Sequence, residues 1–122
     1  MELTLSTLPK TWLLDIDGTL VKHNGYKEGG DVLLPGVEEF FSQLSPEDVV
    51  VLLTARPESN REETERFLQE SGIRYDTILF GLPTGERILV NDDKPSGLSM
   101  GCVVRKRRDA PLRVDVKIDP SL

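Results

Sequence analysis

The run Val49–Leu53 consists of five consecutive apolar residues, three of them valine. A run of this length and β-branched content is typical of a parallel strand buried on both faces. The stretch Thr11–Ile16 is a second short apolar run, and it ends at an acidic turn. Further strands are predicted near Thr77–Phe80, Arg87–Asn91 and Met100–Val104, with Leu112–Ile118 as a last, half-exposed strand.

Two helices are predicted between the early strands. The first opens at Pro35-Gly36 and is ended by Pro46. The second begins with a capping box at Ser59–Glu62 and has Gly72 at its C-terminal cap. Strands that alternate with helices in this order indicate a largely parallel sheet. A chain of 122 residues suits one domain covering positions 1–122.

Charge and composition exclude some classes of function. The net charge of −6 argues against tight, non-specific binding of nucleic acid. No apolar run approaches the roughly 18 residues of a membrane span, and Met1–Lys10 has no signal-peptide pattern. The single cysteine, Cys102, is interpreted as a core thiol because it lies in an apolar stretch. One cysteine forms no internal disulfide, so a reducing, cytoplasmic location is expected.

The segment Arg105–Arg108 is the only basic run in the chain. It has two interpretations, which the sequence alone leaves open. It is either a solvated loop, or a patch that steers anions or contacts another subunit.

Acidic and hydroxyl side chains follow several of the predicted strands. In a parallel α/β sheet the strand C-termini share one edge, and ligands bind there. Carboxylates brought together at such an edge repel one another unless a cation lies among them. Oxygen ligands without a His or Cys cluster favour Mg²⁺ over Zn²⁺. The alternative is that these residues are ordinary helix caps and turn residues. The residues concerned are Asp15, Asp17, Thr54, Asp92, Asp93 and Lys94.

Three motifs of the chain resemble those of the haloacid dehalogenase superfamily. Asp-Ile-Asp-Gly-Thr-Leu from Asp15 resembles its first motif, and Leu-Leu-Thr-Ala-Arg ending at Arg56 resembles its second. Val-Asn-Asp-Asp-Lys-Pro from Val90 resembles its acidic fourth motif. The resemblance spans residues 11 to about 105. It implies an α/β fold, a Rossmann-like three-layer sandwich with a mainly parallel five-stranded sheet and no cap domain.

The resemblance also implies roles for individual residues. Asp15 would attack phosphorus and become an aspartyl phosphate. Asp17 would protonate the leaving oxygen and then deprotonate the attacking water. Mg²⁺ would be bound by the Asp15 carboxylate, the Asp17 main-chain carbonyl and the Asp92 carboxylate. The Thr54 hydroxyl and the Ala55 amide would bind a phosphoryl oxygen.

The chain departs from the family pattern at the third motif, a lysine or arginine that neutralises the phosphoryl group. Between Leu68 and Asp92 the only bases are Arg74 and Arg87, and neither has a clear motif context. We therefore assign the role to Lys94, which follows the acid pair. Asp93 is interpreted as an outer-sphere or structural residue.

The absence of a cap domain bears on the substrate. Only a flap fits between the first motif and the first helix, and His23 and Tyr26 are its candidate substrate contacts, together with Arg56 from the second motif. Capless relatives act on macromolecules, or they form dimers or tetramers and act on sugar phosphates. We expect a small phosphate ester as substrate and a homo-oligomer, with no nucleic-acid or membrane partner. The alternatives are a phosphatase acting on a protein or nucleic-acid end, and a non-catalytic binding module.

Overall fold

All strand pairs of this protein are parallel, and they form two separate sheets. The computed structural model describes every residue from Met1 to Leu122. The strands are β1 (Glu2–Leu5), β2 (Thr11–Asp15), β3 (Val49–Leu53), β4 (Thr77–Leu79) and β5 (Asp115–Ile118). The helices are α1 (Val37–Ser42) and α2 (Arg61–Glu70), with short 3-10 turns at Gly25–Lys27 and Glu58–Asn60. Neither helix is long and apolar enough to cross a membrane.

The larger sheet has the strand order β2-β3-β4, and its register determines where the site lies. Asp15 pairs with Leu53, and Leu53 pairs with Leu79, so the three strands end together. The next backbone hydrogen bonds continue the ladder, from the Ile16 amide to Leu53 O at 3.2 Å and from the Thr54 amide to Leu79 O at 3.0 Å. The predicted meeting of the first two motifs at one sheet edge is confirmed.

The hydrophobic core lies against one face of this sheet. Val50 and Leu52 of β3 are fully buried, whereas Val49 is 43% exposed. The prediction that this strand is buried on both faces is therefore wrong. Both helices contribute to the same apolar cluster, because Val37 and Phe40 of α1 and Leu68 of α2 are buried with the strand residues.

The second sheet pairs β1 with β5 and is tied to α1 through a glutamine. The Gln43 side chain donates to Val114 O at 2.8 Å and accepts from the Val116 amide at 2.8 Å. The chain enters this region beside Gly36, where the Leu112 amide donates to Pro35 O at 2.8 Å. The predicted half-exposed last strand is confirmed for Asp115–Ile118, and β1 was not predicted.

The predicted Rossmann-like three-layer sandwich with a five-stranded sheet is wrong. The protein is a small α/β protein with two helices and parallel sheets of three and two strands. The predicted strands Arg87–Asn91 and Met100–Val104 do not form. Ile88 and Val90 are 84% and 91% exposed, and no backbone hydrogen bond joins residues 83–93 to the rest of the chain. An apolar run becomes a strand only where a neighbouring strand supplies hydrogen bonds and packing, and here none does.

Cys102 lies in this exposed part of the chain, so its assignment as a core thiol is also wrong. The helix boundaries were better predicted. α1 begins directly after Gly36, and Gly72, with a φ of +73°, follows the end of α2. No side-chain hydrogen bond caps α2, since the 3-10 turn Glu58–Asn60 leads into it instead of a capping box.

Candidate active site

The candidate active site is a cavity of about 200 Å³ at the edge where β2 and β3 end. It is lined by Asp15, Asp17, Gly18, Thr19, Lys106 and Arg108. A larger depression of about 420 Å³ lies between α1 and the end of α2 and contains none of the motif residues. The chemistry predicted from the sequence therefore points to the smaller cavity.

Asp15, the last residue of β2, presents a partly open carboxylate. Its side chain is 37% exposed, and its Oδ2 accepts a hydrogen bond from Thr19 Oγ1 at 2.9 Å. Its Oδ1 forms an ion pair with Arg87 Nη1 at 3.0 Å. The predicted nucleophile is thus held at the rim of the cavity, beside a cation from the exposed segment.

Asp17 is held by a buried arginine. Arg56 is 2% exposed and donates from Nε and Nη2 to the two Asp17 carboxylate oxygens at 3.0 and 2.9 Å. Its remaining N–H groups bind Asp31 at 3.0 and 2.7 Å and Thr64 Oγ1 at 2.9 Å. Tyr26 places its ring 4.1 Å from the guanidinium carbon. All five donors of Arg56 are therefore used within the chain.

Charge and burial act in opposite directions on this arginine. Burial alone lowers the pKa of Arg56, but the hydrogen bonds and negative charges of Asp17 and Asp31 raise it above its ordinary value. Arg56 stays charged, and its geometry makes it a support for Asp17. In this arrangement Arg56 has no free donor for the predicted substrate contact. The ring of Tyr26 packs on the guanidinium, and its predicted substrate contact stays a prediction.

The cationic wall of the cavity comes from the basic run. Lys106 Nζ donates to Gly18 O at 2.7 Å and to Arg107 O at 3.0 Å, and it has no ion-pair partner within 4.0 Å. Burial lowers the pKa of Lys106, although the charges of Asp109 and Asp15 oppose that shift. Arg108 likewise forms no ion pair. Two cations without a counter-ion therefore line the same cavity as the two aspartates.

A short strap, residues 106–109, covers the turn that follows Asp17. The Gly18 carbonyl accepts from both Lys106 Nζ and the Asp109 amide, the latter at 2.9 Å. Asp109 Oδ1 accepts from the His23 amide at 2.7 Å, which links the strap to the flap. Gly18 has a φ of +83°, and a Cβ here would lie 3.1 Å from Arg108 Cγ. The turn therefore needs glycine for its conformation, and a Cβ would also crowd the Arg108 side chain.

Thr54 and Ala55 follow β3 at the same sheet edge. Thr54 is buried, and its Oγ1 accepts from the Arg56 amide at 3.0 Å, which leaves the hydroxyl hydrogen to be donated. The Ala55 amide donates no hydrogen bond within the chain. Both predicted phosphate-binding groups have a donor to offer, but neither residue lines the cavity. His23 contributes its backbone amide rather than its ring to the contacts around the site.

The fourth-motif residues lie outside the cavity wall. Asp92, Asp93 and Lys94 belong to an exposed turn in which the Lys94 amide donates to Leu98 O at 3.0 Å. Asp93 Oδ1 accepts from the Met100 amide at 3.1 Å. The structure thus brings together Asp15, Asp17 and the second motif, but not Asp92 or Lys94. Their assigned roles stay predictions that rest on the resemblance.

The oxygen ligands at the cavity are of the type that Mg²⁺ binds. No group of three or more His, Cys, Asp or Glu side chains converges anywhere in the protein. Mg²⁺ needs only one or two carboxylates, with water and substrate oxygens completing its shell. Asp15 supplies a carboxylate in this wall, and no softer ligand competes there. Both carboxylate oxygens of Asp17 are bound by Arg56, so its main-chain carbonyl is the ligand that the resemblance implies.

Comparison with protein-family models, with curated proteins and with solved structures finds no match. The case for function therefore rests on the residues themselves and on their geometry.

Four site residues were not predicted from the sequence: Arg87, Lys106, Arg108 and Asp31. Lys106 and Arg108 had a signal, since they belong to the only basic run, but two interpretations of that run were open. Arg87 lies upstream of the fourth motif but has no clear motif context. Asp31 has no motif context, and only the fold shows that it meets Arg56.

Proposed function

We propose that the protein is a phosphohydrolase that uses Asp15 as its nucleophile and Mg²⁺ as its cofactor. The observation that carries the proposal is the mixed wall of the cavity, in which Asp15 and Asp17 lie with Lys106 and Arg108. Transfer of a phosphoryl group needs a nucleophile at phosphorus and positive charge at the equatorial oxygens. This wall contains groups for both tasks.

The chain's own residues support a two-step reaction. In the first step an Asp15 carboxylate oxygen bonds to phosphorus, the bond from phosphorus to the ester oxygen breaks, and Asp17 gives that oxygen a proton. In the second step a water oxygen bonds to phosphorus, Asp17 accepts the water proton, and the bond from Asp15 to phosphorus breaks. The products are an alcohol and inorganic phosphate, and both aspartates return to their starting forms.

Positive charge around the phosphoryl group would come first from Lys106. Its ammonium group is partly buried and bound only to carbonyl oxygens, so an anion would give it a directly paired counter-ion. Lys94, the residue suggested by the sequence, is the alternative. The free Ala55 amide and the Thr54 hydroxyl support binding of a further oxygen.

The cofactor belongs to the same proposal. The Asp15 carboxylate and the Asp17 main-chain carbonyl would hold Mg²⁺, with the Asp92 carboxylate as the third ligand implied by the resemblance. When bound, Mg²⁺ would neutralise part of the charge on the transferring phosphoryl group.

The substrate we propose is a small phosphorylated metabolite, with a sugar phosphate as the first candidate. A cavity of about 200 Å³ suits a phosphoryl group and a few further atoms, and the flap residues offer polar groups beside it. A macromolecular phosphate is the alternative, because no cap closes the site.

Self-association as a dimer or tetramer and a cytoplasmic location are part of the proposal. The exposed apolar segment around Ile88–Val90 supports self-association. The single free cysteine supports a cytoplasmic location.

The test is hydrolysis of an aryl phosphate by the purified protein. We expect activity that a chelator abolishes and Mg²⁺ restores. Asp15→Asn should lower kcat by about 10³-fold or more, since it removes the nucleophile with little change in shape. Asp115→Asn, on the exposed strand β5, is the matched control and should be silent.

Full activity in excess chelator, or near-normal kcat for folded Asp15→Asn, would contradict the proposal. Absence of any hydrolysis, with Mg²⁺ present and with small and macromolecular phosphates tried, would favour the non-catalytic binding module.

A further inference from the structure

Arg108 lines the cavity with a guanidinium group that no other residue binds. Its side chain is exposed and forms no hydrogen bond or ion pair within the chain. The other two arginines at the site are engaged. Arg87 pairs with Asp15 at the rim, and Arg56 donates to both carboxylate oxygens of its own aspartate. Of these three arginines, only Arg108 keeps all its N–H donors free for a ligand.

A tight turn fixes the position of Arg108. The Ala110 amide donates to Arg107 O at 3.2 Å, which places Arg108 and its neighbour at the two central positions of the turn. That neighbour, Asp109, has a φ of +63°, a left-handed conformation that is uncommon outside glycine. Its amide donates to Gly18 O at 2.9 Å, which ties the turn to the end of the first motif. The backbone around Arg108 is thus held at the edge of the cavity.

The stem of Arg108 packs across the turn that follows Asp17. A Cβ at Gly18 would lie 3.1 Å from Arg108 Cγ and 3.8 Å from its Cα. Lys106 binds the carbonyl of the same glycine, with Nζ 2.7 Å from Gly18 O. Lys106 is partly buried, whereas Arg108 is exposed. The cavity therefore has an inner ammonium group and an outer guanidinium group, both anchored at one glycine.

The two cations suit different anionic groups. An ammonium group is a compact point charge, and in the proposed function that of Lys106 binds the phosphoryl group. A guanidinium group is a planar fork that binds a carboxylate through two parallel hydrogen bonds. A cavity of about 200 Å³ holds a phosphoryl group and only a few further atoms, so a second anionic group bound at its mouth would follow the phosphoryl group closely.

We propose that Arg108 determines substrate specificity by binding a carboxylate, and that the substrate is a small phosphate ester with a carboxylate a few atoms from its phosphoryl group. This inference rests on the proposed function and narrows its substrate class. The phosphoryl group lies against Asp15 and Lys106, and the carboxylate accepts two hydrogen bonds from Arg108 at the mouth of the cavity. Arg108 takes no part in making or breaking bonds, so its contribution depends on the carboxylate alone.

The test uses glycerol 3-phosphate and 3-phosphoglycerate, which differ only in that a hydroxymethyl group of the first is a carboxylate in the second. The experiment compares kcat/KM for the two esters with Mg²⁺ present. We expect the wild type to prefer 3-phosphoglycerate by about 10-fold, the lower end for hydrogen bonds to a charged group, because Arg108 is exposed. Arg108→Gln should abolish this preference and change kcat/KM for glycerol 3-phosphate little.

A conservative variant and a matched control accompany Arg108→Gln. Arg108→Lys retains the charge but lacks the planar fork, so it should keep only part of the preference. Arg105→Gln removes the same charge from the same basic run. Arg105 is exposed and does not line the cavity, so this variant should keep the whole preference. General damage to the fold would lower kcat/KM for both esters together and leave their ratio unchanged.

Failure of this inference and failure of the proposed function give different results. If the wild-type protein hydrolyses neither ester nor an aryl phosphate, the proposed function fails and this inference fails with it. If the wild type hydrolyses any of them without preferring 3-phosphoglycerate to glycerol 3-phosphate, the carboxylate site is refuted and the proposed function stands. The site is refuted as well if folded Arg108→Gln keeps the preference, or if Arg105→Gln abolishes it to the same extent.

Discussion

Lys106 offers the sharpest comparison between the sequence and the structure, because the sequence suggested Lys94 for the same role. The perturbation is Lys106→Met, which keeps an unbranched apolar stem of similar length and removes the ammonium group. Lys94→Met is the matched control, since Lys94 lies in the exposed turn outside the cavity.

The expected size of the effect follows from the contacts of Lys106. Its Nζ lies 2.7 Å from Gly18 O and 3.0 Å from Arg107 O, so the cation is already fixed before an anion arrives. Loss of one preorganised electrostatic contact of this kind lowers kcat by roughly 10²–10³-fold. The effect on folding should be small. Gly18 O keeps its hydrogen bond from the Asp109 amide, so no buried acceptor is left without a partner. We expect the free energy of unfolding to change by less than about 1 kcal/mol.

The assay is hydrolysis of an aryl phosphate with Mg²⁺ at pH 7, with urea unfolding of each variant alongside. We expect Lys106→Met to lose kcat/KM by at least about 10²-fold with an unchanged unfolding midpoint. Lys94→Met should behave like the wild type. A silent Lys106→Met with an inactive Lys94→Met would refute our reasoning from the cavity and support the assignment from the motif.

Two further predictions concern stability. Gly36→Ala should lower the free energy of unfolding by about 3 kcal/mol or more, because the φ of +90° disfavours alanine and the new Cβ would collide with Leu112 O. Thermal unfolding measures this change, and an unchanged melting midpoint would contradict the prediction. Asp48→Asn should lose stability at pH 7 and show less acid sensitivity than the wild type. Burial alone raises the pKa of Asp48, but hydrogen bonds from the Lys10 amide, the Trp12 indole and the Ser45 amide lower it below its ordinary value of 3.8. The stabilisation is therefore complete above about pH 3.8 and is lost as the pH falls further, which urea unfolding between pH 7 and 2.5 would show.

The strands that formed as predicted are those whose apolar runs meet a partner. Thr11–Asp15 and Val49–Leu53 pair with each other along their whole length. Arg87–Asn91 has three apolar residues of five, as Thr11–Asp15 does, yet it stays exposed. The apolar pattern gives the tendency to form a strand but does not specify the strand it would pair with. The pairing of β1 with β5 joins residues more than 100 positions apart, and no local signal marks it.

The site residues that could be predicted from the sequence are those whose motif lies at the end of a sheet strand. Asp15 ends β2 and Thr54 directly follows β3, and parallel register alone brings them to one edge. The partner of Arg56 was not predictable in the same way. Asp17 lies 39 positions away and Asp31 lies 25 positions away, and their meeting depends on the path of the flap.

The acidic and the cationic half of the cavity wall differ in rigidity, so substitutions in the two halves should have different effects. The acidic half is rigid, since Asp17 is clamped by buried Arg56, and the backbone at Arg56 is itself bound by the Gly81 amide at 2.8 Å. The cationic half consists of Lys106 and Arg108, and Arg87 pairs with Asp15 at the rim; all three come from segments without regular secondary structure. Substitution of Asp17 should therefore change stability and turnover together, because its bonds to Arg56 serve both, whereas Asp15→Asn at the open rim should change turnover alone. Substitutions in the cationic half should change binding and turnover while leaving the core intact, because no buried apolar contact depends on these side chains.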